Sequence, residues 1–277
     1  MNKDSKQERF KNHLRKIASG ENTSRAMTRE ESAEALELIL HGVATPAQIG
    51  AFMIAHRIRR PEPQELAGMV DTYLKLGPKL KPSKNFRPPI CFGMPLDGRN
   101  KTAPIYPLTT LILIDLGQPV VLHGAGRIPI KYGVSGTELF EALGLSLSGL
   151  SMDDIQDCFS NYGFAYINQA DHFPLAQNLV SYRDEIGKRP PLASMELLWT
   201  AHSGEHLLIT SFVHPPTEPR HLKAAEILGE SNVVTVKGLE GSTDISISRS
   251  LKLSQLKNTK IKTFSICPIE YKCNGKD

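Results

Sequence analysis

The stretch LHGAGRIPIKYGVSGTELFEALG, Leu122 to Gly144, joins an apolar strand to a capped helix through a basic loop broken by glycines. Glycine lets backbone approach a ligand closely, and a helix N-terminus presents N–H groups without intrahelical partners, so this arrangement suits a phosphate. Immediately upstream, Cys91 to Lys101 (CFGMPLDGRNK) is a second glycine-broken loop. Together the two loops predict the walls of a cleft for an anionic ligand.

Working outward, short apolar runs at Val120–His123, Phe164–Ile167, Leu207–Phe212 and Val233–Lys237 alternate with helical patterns. That alternation is the signature of a parallel sheet with crossovers. The intervening helices are predicted at Leu108–Leu116, at Ser135–Leu143 with Ser135 and Glu138 as a capping box, at Ser151–Tyr162, and from about His221 to Leu228. Before Gly77 the chain reads as helix alone. Thr28 and Glu31 form a capping box ahead of Leu36, Ile39 and Leu40, and Thr45-Pro46-Ala47-Gln48 opens a helix that turns Ile49, Phe52 and Met53 inward. Pro61 stops it, and Gln64 to Leu76 supplies one more helix. The Pro-, Lys- and Gly-rich segment from Gly77 to Pro89 reads as a linker, so the expected division is a helical domain over residues 1–76 and an α/β domain over residues 77–277.

Composition narrows the class of protein. In 277 residues, 40% are hydrophobic, enough for a substantial core, and no run approaches the length that crosses a bilayer. The N-terminus is charged with no apolar run behind it, so the expected address is cytoplasmic. Cys91, Cys158, Cys267 and Cys273 are scattered and lack CxxC spacing, and read as reduced thiols. The net charge of +4 is concentrated in the first 25 residues and from Arg249 onward, a distribution that favours polyanions. His202, His206, His214 and His221 lie close in sequence, but no acidic or thiol partner has regular ligand spacing, so they are read as structural rather than metal-binding. A GxSxG elbow and a Rossmann glycine fingerprint are both absent.

Four segments, LELILHGVATPAQIGAF (Leu36–Phe52), FEALG (Phe140–Gly144), YRDEIGKR (Tyr182–Arg189) and VKGLE (Val236–Glu240), fall in the order and spacing of the anthranilate phosphoribosyltransferase family, which the chain resembles over nearly its whole length. The resemblance implies an α/β fold of the nucleoside phosphorylase/phosphoribosyltransferase type. A small N-terminal helical bundle would stand beside a larger α/β domain with a mainly parallel sheet, here C-terminally shortened. It further implies that phosphoribosyl pyrophosphate, magnesium and anthranilate meet between the domains, and that the protein is a homodimer through the helical domain. Arg183 matches the family arginine that clamps the anthranilate carboxylate.

Against that pattern the chain departs at each phosphate and metal motif. The GTGGD loop corresponds to Phe92-Gly93-Met94-Pro95-Leu96-Asp97-Gly98, in which Pro95 removes an N–H and Met94 and Leu96 add bulk. NxST corresponds to Pro104-Ile105-Tyr106-Pro107, and KHGN keeps only His123 and Gly124, between Leu122 and Ala125. The acidic pair of GLDE becomes Glu240-Gly241, leaving Glu240 as a residual metal candidate, with Asp244 a poor substitute three residues on. These departures resemble a narrower, degenerate branch associated with nucleic-acid binding. The expected ligand is therefore nucleic acid or a phosphoribosyl-type small molecule, with magnesium only for an active transferase. Gly93, Asp97, Gly98, His123 and Gly124 would shape the cleft, with charge from Arg127, Lys131 and Arg183.

Overall fold

In the computed structural model, which describes residues 3–277, polar caps start the helices where the sequence places them. Helix α1 spans Lys3–Ala18; Met1 and Asn2 of the basic N-terminal segment lie outside the described residues. Helix α2 (Arg29–Leu40) begins at Thr28, whose hydroxyl accepts from Glu31 N at 3.2 Å while the Glu31 carboxylate accepts from Thr28 N at 2.7 Å. Helix α3 (Pro46–Arg59) repeats this reciprocal pair with Thr45 and Gln48, and α4 (Pro63–Leu76) follows. Each pair satisfies two N–H groups that a helix start otherwise leaves without partners. Leu36, Ile39, Ile49, Phe52 and Met53 are all buried, and Phe10 of α1 packs on Phe52 with ring centroids 5.6 Å apart.

Seven strands form one sheet in the order β3-β2-β1-β4-β5-β6-β7. Strands β1 (Ile90–Phe92), β2 (Val120–Gly124), β3 (Phe164–Asn168), β4 (Leu207–Ser211) and β5 (Asn232–Val236) are parallel to one another. Helix α5 (Tyr106–Asp115) connects β1 to β2, and α6 (Gly136–Ala142) and α7 (Met152–Tyr162) connect β2 to β3. The connection from β3 to β4 is made of short turns of helix: α8 (Gln169–His172), α9 (Pro174–Gln177), α10 (Val180–Glu185) and α11 (Leu192–Met195). Helix α12 (Thr217–Leu228) leads into β5.

Beyond Arg249 the structure departs from the residue pattern, which predicts no strands there. β6 (Leu251–Lys257) and β7 (Lys260–Ile266) form an antiparallel hairpin on the edge of the sheet. Asn258 and Thr259 turn it with φ of 46° and 66°, the left-handed pair that matches strand twist in a two-residue loop. The sheet is thus mainly rather than wholly parallel. β1 is a further strand that the pattern does not predict, because three residues between Pro89 and Gly93 show no periodicity.

The helical bundle and the sheet share one continuous core. α4 packs against α2 on one side and α12 on the other, and Tyr73 of α4 meets Phe173 and Trp199 at 4.8 and 5.8 Å between ring centroids. Arg29 fixes the join: its Nε and Nη2 donate to both Asp71 oxygens at 2.6 and 2.8 Å, and its Nη1 donates to Ile227 O of α12 at 2.8 Å. Within the bundle α2 and α4 touch through backbone at Gly68, where a Cβ would overlap the Arg29 carbonyl. Gly68→Ala is therefore expected to spread these helices and lower stability by about 1–3 kcal/mol, despite the better helix propensity of alanine. Urea denaturation measures this, and an unchanged midpoint would contradict the close approach.

Candidate functional site

The strand order reverses direction between β1 and β4, and in open α/β sheets the crevice beyond the carboxyl ends of strands at such a point receives ligands. Gly93 sits there. Its N–H donates to Ile209 O at 2.8 Å, and a Cβ would overlap the carbonyl of Leu197, so only glycine admits the chain that crosses beneath. Gly124 closes β2 in the same way against the Tyr166 hydroxyl.

The two glycine-broken loops were expected as separate walls, but they meet directly. Gly133 N donates to Asp97 O and Val134 N to Arg99 O, each at 3.0 Å, and Gly98 adopts a φ of 68° against Gly133. Between them remains a cavity of about 20 Å³ lined by Met94, Leu96, Gly98, Tyr106, His123, Gly124 and Tyr166. That is room for a water, not a sugar phosphate.

Glu240 holds this closure in place. Its carboxylate accepts from the backbone N–H groups of Asn100, Lys101 and Thr102 at 3.3, 2.9 and 2.9 Å and from the Thr102 hydroxyl at 2.9 Å. Burial opposes its ionisation, but these donors outweigh it and hold the carboxyl down at about 2. Lys131 lies across the same knot, its Nζ 3.6 Å from a Glu240 carboxylate oxygen and donating to Glu240 O at 2.8 Å. Asp244 is buried, paired with Arg99, and accepts from Ile105 N at 3.0 Å at the start of α5. A carboxylate of the chain itself thus stands where a phosphate would meet that helix. Magnesium does not fit here: Gly241 brings no carboxylate, and the oxygens of Glu240 and Asp244 are already taken by backbone N–H groups and a guanidinium.

The remaining predicted residues are dispersed. Arg183 is 3% exposed and paired with Glu196, which is equally enclosed, so its charge is neutralised within the fold. Asp97 pairs with Arg189. Arg127 projects from the loop surface and meets Glu138 of α6 at 2.9 Å. His123 is buried, its ring tilted against Trp199 at 5.2 Å between centroids, and burial pushes its imidazole down to about 4 against the pull of nearby carbonyls. The structure therefore gathers Asp97, Gly98, Lys131 and Glu240, places Gly93, His123 and Gly124 at strand ends beside them, and leaves Arg127 outside.

A second space was not foreseen from the sequence. An open cleft of about 760 Å³ runs between the helical bundle and the sheet, lined by Arg57, Arg60, Lys188, Arg189, Arg220 and, at its floor, the paired Arg183. Asp97 is the one carboxylate among the described residues that line it. Arg60 and Lys188 have no carboxylate partner among the described residues. YRDEIGKR carried the signal for Lys188 and Arg189, whereas Arg57, Arg60 and Arg220 reach the cleft only through the fold. Among the described residues no helix is long and apolar enough to cross a membrane.

A helical bundle against a mainly parallel α/β sheet, with a crevice at the switch point, is the architecture of the phosphoribosyltransferase-type fold. The glycosyl transferase family, helical bundle domain, matches residues 11–77. Anthranilate phosphoribosyltransferase of Rhodopseudomonas palustris (strain HaA2) is 25% identical over 94% of this chain and 73% of its own, and that of Methylocella silvestris 27% identical over 92% and 70%. Among solved structures, the Thermus thermophilus enzyme superposes with a TM-score of 0.75 at 18% identity, covering 96% of this chain and 76% of that one. The Saccharomyces cerevisiae enzyme in complex with PRPP and Mg gives 0.76 at 14%, covering 95% and 73%. Residues 11–77 thus carry the helical bundle domain of the glycosyl transferase family, and the chain is similar to anthranilate phosphoribosyltransferases along most of its length.

His123 and His221 give the fold a defined response to acid. His221 is fully buried with neither ring nitrogen hydrogen-bonded, and burial pushes it too down to about 4. Both are neutral when folded, while an unfolded histidine titrates near about 6.5. Their contribution is complete above that value and is lost as pH falls toward 4, because only the unfolded chain takes up the protons. Urea midpoints measured across this window should fall in the native chain and fall less steeply in His221→Asn; equal slopes would contradict the buried neutral imidazole.

Proposed function

We propose that the open basic cleft binds the phosphate backbone of nucleic acid, and that this chain does not turn over phosphoribosyl pyrophosphate at ordinary enzymatic rates. One observation carries the reading: the pocket that the family resemblance assigns to pyrophosphate and metal is filled by the chain's own groups, with about 20 Å³ left, while the cations of the neighbouring cleft face about 760 Å³ of open space. Guanidinium and ammonium groups along an open groove suit a repeating phosphate chain without selecting its bases. A second reading, transfer of phosphoribose to anthranilate or a similar aromatic amine with magnesium, is favoured by the relatives' names and by the yeast structure with PRPP and Mg.

Binding of a labelled single-stranded oligonucleotide at two ionic strengths, run beside an assay of pyrophosphate release from phosphoribosyl pyrophosphate, anthranilate and magnesium, separates the two. The expected result is affinity that drops steeply with salt, no turnover, and a log–log salt slope shallower by about 1.4 in the double variant Arg60→Glu, Lys188→Glu. Turnover at ordinary rates, or salt-insensitive binding, would defeat the proposal.

The homodimer belongs to the same proposal. Ile58 of α3, at the rim of the same cleft, is 77% exposed, an apolar position that a second helical bundle would cover beside the groove. Ile58→Lys is expected to shift sedimentation equilibrium from dimer to monomer; a native chain that sediments as a monomer would remove the claim.

A further inference from the structure

We propose that Cys91, His202 and His206 form a zinc site at the end of the sheet opposite the basic cleft. Sequence spacing hid this group, because the thiol lies more than a hundred residues from the imidazoles. The fold brings them together: β1 and β4 are parallel neighbours with Cys91 in register with Leu208, and the loop leading into β4 carries both histidines. One ligand atom from each of the three residues lies within 4.8 Å of the others.

Each of the three has a protein neighbour of its own, Thr200 for Cys91, Gly204 for His202 and Glu230 for His206, yet they do not partner one another. Cys91 is fully buried and His202 is 4% exposed, its Nδ1 accepting a long 3.3 Å bond from Gly204 N and its Nε2 without a hydrogen-bond partner. His206 donates from Nδ1 to Gly204 O at 2.8 Å, which fixes the ring with Nε2 toward Glu230. The two imidazoles stand 5.9 Å apart between centroids and do not bond to each other. An open cleft of about 420 Å³, lined by Lys79, His202, His206 and Glu230, gives an ion access. The Glu230 carboxylate, 3.2 Å from His206 Nε2, is placed to complete the coordination.

A thiolate with two imidazoles and a carboxylate selects zinc over magnesium or calcium. Tetrahedral zinc sets such donors roughly 3.3–3.6 Å apart, so binding draws the three side chains inward by about 1 Å. The site is structural, since His206 precedes β4 whereas Gly93 and the basic cleft lie beyond the strands' carboxyl ends. His202 also pairs with Leu80 in a lone parallel bridge, so the ion would tie the segment after α4, strand β1, the loop before β4 and the end of α12 into one unit.

Cobalt(II) titrated into the reduced full chain tests this directly. The expected spectrum shows saturation at one equivalent, a near-ultraviolet thiolate-to-cobalt charge-transfer band and the intense visible bands of a tetrahedral ion, all abolished by an equivalent of zinc. Cys91→Ser should lose the charge-transfer band, whereas Cys273→Ser, at an exposed thiol, should keep it. A native chain that takes up no stoichiometric cobalt, or holds it with the weak bands of an octahedral ion, overturns the proposal, as does a charge-transfer band that persists in Cys91→Ser. The first two readouts need only the native chain and decide the matter even where Cys91→Ser fails to fold.

Discussion

A carboxylate that accepts four hydrogen bonds from one loop is committed to that loop, and the commitment of Glu240 to residues 100–102 organises this protein's upper surface. It fixes the loop after β1 against the loop after β2, recruits Lys131, and leaves Arg99 to be neutralised by Asp244. The family resemblance would give Glu240 a metal to hold. Here these groups satisfy one another instead. The cost of desolvating them is offset internally, so an incoming phosphate would have to displace protein donors and acceptors rather than water.

This redistribution separates charge used for architecture from charge left for binding. Arg99 and Arg183 are held in buried pairs by Asp244 and Glu196, and Arg189 by Asp97 at the cleft wall; such pairs specify geometry more than they add affinity for a ligand. Arg60 and Lys188 remain on the open cleft, where their field extends over about a Debye length into solvent. A surface of that kind collects polyanions weakly and quickly, which is a different task from gripping one small molecule in a closed pocket.

The fold was legible in the sequence wherever the causes were local. Thr28, Thr45, Ser135 and Ser151 cap their helices through partners three residues away, and each start reads directly from residue type and spacing. The β6–β7 hairpin was not legible, because β7 is exposed along almost its whole length and so carries no burial pattern, while its Asn258-Thr259 turn lacks the usual glycine. At the site, the loss of a paired acid at Glu240-Gly241 was visible, but what Glu240 does instead was not. Its partners are backbone N–H groups some 140 positions away, and backbone leaves no mark in residue type. Arg183 likewise matched a family position while its neutralisation by Glu196 depended on how α10 and the turn after α11 pack.

The join made by Arg29 bears on how any ligand arrives. Many two-lobed proteins swallow their substrate by swinging one lobe on a hinge, which requires an interface that opens cheaply. Here a guanidinium grips a carboxylate within the bundle and a main-chain carbonyl on α12 at once, above an aromatic seam of Tyr73, Phe173 and Trp199. Rotation of one lobe would break all of these together. The contacts that join the two lobes therefore also set the spacing of the groove's walls.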